Sequence, residues 1–183
     1  LELINCAEIV MFKGKAMGKN RIQYFDTPIL NDFLKNVELD SKLKEAVFEN
    51  NFLLYYQPQY YAGNRKLRGV EALIRWKDGN GRMISPAKFI PIAEKNGTII
   101  PIGNWVLEQS IRTFSEWRNR YGVPFVLSVN ISALQYQKED FVETLLNIIH
   151  KYDVDPDEIE LEITESILID DFSAVTEKMQ LLK

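Results

Sequence analysis

The 183-residue chain contains one cysteine, Cys6, and one histidine, His150. A lone cysteine excludes an internal disulfide and a cysteine-rich zinc centre. A lone histidine argues against a histidine-rich metal site. Any metal would then need oxygen ligands, and magnesium, manganese and calcium are the candidates. Positive charge is also in deficit, with 22 Lys and Arg against 26 Asp and Glu, a net charge of -4. That balance argues against a binding face for a nucleic-acid polymer, which would be basic. No stretch reaches the apolar length of a membrane span, and no signal peptide is read at the start. The chain opens on LELINCAEIV without a methionine and ends on TEKMQLLK, inside an amphipathic pattern. The expectation is therefore a fragment of a longer protein. What is plentiful is apolar: 46% of residues are hydrophobic and 26% charged, enough for a real core in a globular domain.

Periodicity divides the chain. Residues 5–17 read as a helix closed by Gly18, and Arg21–Phe25 (RIQYF) as a short strand. Asp26-Thr27-Pro28 starts a helical stretch running to Glu49, divided into two near Glu38–Ser41. Beyond it, strands are expected over Phe52–Tyr60, Leu67–Trp76, Phe125–Ile131 and Glu158–Thr164. Helices are expected over 87–96, with Ser85 as N-cap and Gly97 as its end, over 103–121, over 139–152, and from Ser173. Strand and helix alternate from Phe125 onward, which indicates α/β with a parallel sheet. The alternation alone does not separate a barrel from an open sheet.

Three strands carry polar residues where a core is expected. In VEALIRW (Val70–Trp76), Glu71, Leu73 and Arg75 share one face, while Val70, Ala72, Ile74 and Trp76 share the other. Asn130 lies late in LSVNIS, and Glu162 sits between Leu161 and Ile163, with Glu160 and Glu165 nearby. A buried carboxylate needs a partner. One strand acid alone is best read as paired with an arginine or backbone amides. Polar residues on three successive strands favour convergence at the C-terminal rim of a sheet, where two carboxylates and an amide carbonyl suit magnesium or manganese. Arg75 beside such a site suits a phosphate.

These same residues carry a family resemblance. EALIRW (Glu71–Trp76) resembles the signature of the EAL domain, the cyclic di-GMP phosphodiesterase family. YQPQY (56–60), SPAKFIPIAEKNGTIIPIGNWVL (85–107), SVNISALQ (128–135) and LEITES (161–166) resemble its other blocks in the same order. CAEIVMFKGKAMGKNRIQYFD (6–26) resembles the last helix and strand of a GGDEF domain, whose signature is missing. The resemblance implies a GGDEF remnant over 1–27, a helical linker over 28–42 and the N-terminal part of an EAL domain over 43–183. The implied fold is a TIM-like (β/α)8 barrel with an antiparallel first strand, truncated to about its first half. The implied activity is hydrolysis of cyclic di-GMP to linear pGpG with Mg2+ or Mn2+. Carried over by motif, Glu71, Asn130 and Glu162 are metal ligands, with Glu71 and Glu162 catalytic. Gln57, Leu73 and Arg75 are substrate contacts, and Glu165 holds a responsive loop in place. The implied partners are cyclic di-GMP, an upstream GGDEF domain and, as in many relatives, a second copy. The implied location is cytoplasmic, in a parent that could carry a membrane sensor.

The family's later Asp-Asp-Phe-Gly motif, lysine and glutamate have no counterpart here. Ile169-Asp170-Asp171-Phe172 imitates that motif but follows LEITESIL directly, with Ser173 in place of glycine, so a helix-capping role is expected. The chain alone is therefore expected to be inactive. Two other readings stay open: a degenerate EAL domain acting as a cyclic di-GMP receptor or interaction module, and a sugar-phosphate barrel enzyme with a metal carboxylate site. His150 is read as a surface residue at a helix end, Cys6 as a small buried residue, the Trp105/Phe114/Trp117 stripe as core, and the Lys13–Arg21 cluster as a solvated helix end.

Overall fold

The structure, a computed structural model, describes residues 2–163 except 17, 19, 21, 50 and 123, together with Lys178. The chain divides into two compact units, Leu1–Glu45 and Ala46–Lys183. The first holds α1 (Glu2–Ala16) and most of α2 (Thr27–Glu49). Val10 and Ile29 are buried, and Lys13 lies 3.5 Å from Asp32. That contact occupies one cation of the Lys13–Arg21 cluster structurally.

Two sequence expectations fail here. Residues 22–26 are irregular, and among the described residues no strand pairs with them. Alternation predicts a strand there, but a strand needs a partner for its backbone ladder. The helix after Asp26 does not divide. α2 runs unbroken from Thr27 to Glu49 because i,i+4 pairs cross the expected break, Lys42 Nζ to Glu38 at 2.6 Å and Lys44 Nζ to Asp40 at 2.8 Å. Its start is as read. The Asp26 carboxylate accepts a 2.8 Å hydrogen bond from the Ile29 amide, and Pro28 occupies the first turn.

The second unit is a five-stranded sheet with helices on one face. In chain order it has β1 (Phe52–Tyr60), β2 (Leu67–Lys77), β3 (Met83–Ile84), α3 (Pro86–Asn96), α4 (Ile99–Tyr121), β4 (Val126–Ile131), α5 (Ala133–Tyr136), α6 (Phe141–Lys151) and β5 (Ile159–Ile163). The lateral order is β1-β2-β4-β5, with β3 paired to β2. β1 runs antiparallel to β2, as the resemblance implies, while β2, β4 and β5 are parallel. The parallel crossover from β4 through α6 to β5 is the βαβ unit that the alternation from Phe125 onward predicts, and α3 and α4 make a second crossover between β2 and β4.

Helix boundaries differ modestly from the pattern. α4 begins at Ile99, four residues before Gly103, because IIPIGN is helical. The short β3 and α5 escape a reading based on periodicity, since two and four residues are too few to show one. β3 is made by the Asp78 turn: the Asp78 carboxylate accepts from the amides of Asn80 (3.0 Å) and Arg82 (2.8 Å) and from Arg82 Nε (3.1 Å). Ser85 sits at the N-cap of α3 without a side-chain cap bond, and Gly97 closes the helix in the left-handed region at φ 81°. The Ile169–Phe172 stretch lies outside the described residues, and of the helix expected from Ser173 only Lys178 is described, where the chain is helical.

The apolar face of β2 behaves as its sequence predicts. Val70, Ala72 and Trp76 are buried against the helices, as are Leu127, Val129 and Ile131 of β4. α4 crosses this face with Ile102, Val106, Ile111 and Phe114 inward. Phe52, Trp76, Phe89 and Trp105 form one aromatic cluster, with Phe52–Trp105 ring centroids 5.9 Å apart and Trp76–Phe89 at 5.6 Å. Trp117 packs edge-on to Tyr56 at 4.7 Å; of the aromatic stripe of α4, Phe114 is buried in the core while Trp105 and Trp117 are half-buried at its margin. His150 is exposed in the last turn of α6, and Cys6 is half-buried with a free thiol.

Candidate functional site

Because apolar residues claim the helix-facing side, the alternate residues of each strand must line the opposite, concave side. Register decides which of them meet. Gln57 of β1 stands opposite Glu71 of β2, Glu71 beside Ser128 of β4, and Asn130 of β4 beside Glu162 of β5. The stagger of the parallel strands then brings Glu71 to Asn130, whose Nδ2 donates to Glu71 Oε1 at 2.7 Å. Two carboxylates and an amide thus share one face on three adjacent strands.

The carboxylates feel one another. Burial pushes the Glu162 carboxyl above its ordinary range, and the charges of Glu71 and Glu160 push the same way. Hydrogen bonds with Ser128 and Gln59 act in the opposite sense. Two acids held close against their repulsion form an arrangement that a divalent cation relieves. The set is all hard oxygen, matching magnesium or manganese in donor chemistry, and Asn130 would contribute its Oδ1. Among the described residues no group of three His, Cys, Asp or Glu gathers.

Arg75 sits one step further toward the strand end. Its Nη1 donates to the Ile74 carbonyl at 2.8 Å, and its guanidinium lies 5.3 Å from the ring centroid of Tyr55. Tyr55 is paired with Leu73 in register, so the arginine is held beside the rim by its neighbour on β1. Glu71, Leu73 and Arg75 also line a cleft of about 350 Å³ that is walled on its other side by apolar residues of α3 and α4 such as Ile90 and Ile102, with Gln135 at its margin. Gln135 is buried, donates to Asn104 Oδ1 at 3.1 Å, and lies where a Cβ on residue 103 would stand 2.2 Å from its Oε1. Glycine at 103 leaves room for this side chain, which a larger residue would force to shift. Gln57 is exposed on the same face as Glu71. Glu165 lies outside the described residues.

Sequence reasoning missed a polar layer beneath this one. Arg68 Nη1 donates to Gln59 Oε1 at 2.8 Å, and Nη2 pairs with Glu160 Oε2. Ser128 Oγ lies 3.3 Å from Glu160 Oε1. The hydrogen bond from Arg68 holds the Glu160 carboxyl below its ordinary range, against the effect of burial. Glu160 is legible by alternation with Glu162. Arg68 is not, because alternation places it on the face opposite Gly69 and Glu71.

The fold is an α/β domain whose adjacent parallel strands carry two acids and an amide on one face, an arrangement with the donor chemistry for a divalent cation. The particular family is shown by comparison. The EAL domain model matches residues 40–183, and the chain belongs to the EAL family. It is 32% identical over 173 residues to the bifunctional diguanylate cyclase/cyclic di-GMP phosphodiesterase MucR of Pseudomonas aeruginosa, covering 94% of this chain and 25% of MucR. It is 39% identical over 136 residues to the cyclic di-GMP phosphodiesterase PA2567 of the same organism, covering 74% of this chain and 23% of that protein. Among solved structures, the MucR phosphodiesterase in complex with c-di-GMP superposes with a TM-score of 0.75 at 34% identity, over 79% of this chain and 59% of that one. The chain spans about a quarter of the length of these curated relatives. Among the described residues no helix is long and apolar enough to cross a membrane.

Proposed function

We propose that this chain supplies the first part of a catalytic EAL domain that hydrolyses one phosphodiester bond of cyclic di-GMP, giving linear pGpG. The observation that carries the reading is the juxtaposition of Glu71, Asn130 and Glu162 on one face with Arg75 held beside them. Glu71, Asn130 and Glu162 would hold Mg2+ or Mn2+, which when bound lowers the pKa of an attacking water and offsets charge on the phosphate. Arg75 binds a phosphate oxygen through its guanidinium, which stacks over the Tyr55 ring. Leu73 offers the apolar contact for a base in the cleft, and Gln57 an amide at its edge. Glu165, by its motif, holds a substrate- and metal-responsive loop in place. Residues 1–27 are the end of a GGDEF domain, 28–42 a linker and 43–183 the EAL part of a longer cytoplasmic or membrane-tethered protein, which could pair with a second copy.

A second reading is a cyclic di-GMP receptor without turnover, in which Arg75, Leu73 and Gln57 hold the ligand and no water is activated. One experiment separates them. The complete domain containing this chain is incubated with cyclic di-GMP and Mn2+, and pGpG is resolved by chromatography. Metal-dependent pGpG formation that Glu71→Gln reduces at least a hundredfold supports catalysis. Binding without turnover supports the receptor. The 183-residue chain alone is expected to give negligible pGpG, and turnover by it would contradict the need for the missing half of the site.

A further inference from the structure

The β1–β2 ladder contains a register shift. Gln59 pairs with Gly69 and Tyr60 with Leu67, so Arg68 has no partner across the ladder. This is a β-bulge, and bulges re-aim side chains. Here the result is specific. Arg68 turns into the concave interior, where its guanidinium bonds Gln59 on β1 and Glu160 on β5. Those strands are not neighbours: β2 and β4 lie between them. One side chain therefore spans the hollow of the sheet and ties its first strand to its last described one. Ser128 of β4 completes the link with its hydroxyl 3.3 Å from Glu160 and 3.4 Å from Gln59.

Glu160 and Glu162 are two residues apart on the same face of β5, so whatever fixes the first fixes the second. β5 also ends the described sheet, and its own ladder to β4 holds only one of its edges. We infer that Arg68 is a positioning residue for the metal site: by bridging Gln59 and Glu160 it sets the curvature that brings Glu162 to Glu71 and Asn130. The bridge touches neither substrate nor metal. A planar, five-donor guanidinium offers separate nitrogens in a fixed fork to the two strands, whereas a lysine's three donors share one nitrogen and lack that geometry.

This inference rests on the proposed metal site, and the test separates the two. Mn2+ affinity is measured by the loss of free-ion EPR signal in the complete domain, with circular dichroism to verify folding. Wild-type binding that Glu71→Gln abolishes establishes the site; without it the functional reading fails first. The informative variant is Arg68→Met/Glu160→Gln, which removes one charge of each sign and leaves the net charge near the site unchanged. It should weaken Mn2+ binding tenfold or more and lower kcat in parallel, with KM altered less than threefold. Arg68→Lys, which keeps the charge but not the fork, should fall between it and wild type. A folded double variant with Mn2+ affinity and kcat within twofold of wild type overturns the inference. If the double variant does not fold, Arg68→Lys decides: an affinity equal to wild type overturns it equally.

Discussion

Gly69 offers a quantitative test of how the sheet positions the site. It lies two residues before Glu71 and pairs with Val126 at the start of the β2–β4 parallel ladder. A Cβ at this position would stand 2.3 Å from the Val126 carbonyl oxygen and 3.0 Å from its carbonyl carbon. Ordinary van der Waals contact begins near 3.4 Å, so β2 and β4 would have to separate by about 1 Å. The obstructing atoms are backbone, and no rotamer change relieves them. Overpacking of this kind costs about 1–3 kcal/mol. Replacing glycine also reduces the freedom of the unfolded chain, which returns about 0.4–1 kcal/mol. Gly69→Ala should therefore destabilise by about 1.3 kcal/mol at the middle of these ranges, and by up to about 2.6 kcal/mol, lowering the urea midpoint with m unchanged. Gly63→Ala is the control, since nothing lies within 4 Å of its Cβ. The wedge opens the strand pair that aligns Glu71 with Asn130, so Mn2+ affinity should fall as well. A Gly69→Ala variant as stable as the Gly63→Ala control would refute the reasoning.

The Glu162 carboxyl makes the opposite kind of prediction. Its proton affinity is raised in the fold, so it favours the folded state below the ordinary carboxylate pKa and loses that contribution as pH rises through its raised value. At neutral pH, Glu162→Gln should accordingly stabilise the metal-free domain in thermal unfolding while abolishing Mn2+ binding; destabilisation would show that Glu162 is paired, not strained. Asp78 has its carboxyl held below the ordinary range, first by the Arg82 amide, so it supports the fold above a pH of about 4 and loses that support on acidification. Asp78→Asn should be less stable than wild type at pH 7, with the difference shrinking below about pH 4 in parallel denaturation curves. Gln135→Ala should lose the bond to Asn104 and leave a cavity against Gly103, costing about 1–3 kcal/mol by denaturant unfolding. A neutral effect would mean that this buried amide is dispensable.

Much of the site was readable before any coordinates. Two-residue alternation sorted VEALIRW into faces, because strand geometry forces neighbours apart whatever the tertiary context, and the burial of Val70, Ala72 and Trp76 follows that rule. The same alternation exposed Glu71, Asn130 and Glu162 as polar residues needing a reason. Local chemistry also survived: the Asp26 cap and the Gly97 helix end are decided within a few residues of chain. Where a local pattern stood alone it failed. Arg21–Phe25 alternates like a strand, but alternation supplies no hydrogen-bonding partner.

Register, bulge and stagger belonged to the tertiary structure alone. Nothing within LSVNIS says that Asn130 meets Glu71 and not Gln57; the offset between parallel strands decides it. Nothing in KLRGV says that Arg68 faces inward, since the bulge that turns it exists only when β2 lies against β1. The chain by itself determined which residue types face the hollow of the sheet, because a carboxylate cannot be left in an apolar layer. Only the assembled sheet decided which of them touch, because contacts across strands are set by distances that no single strand contains.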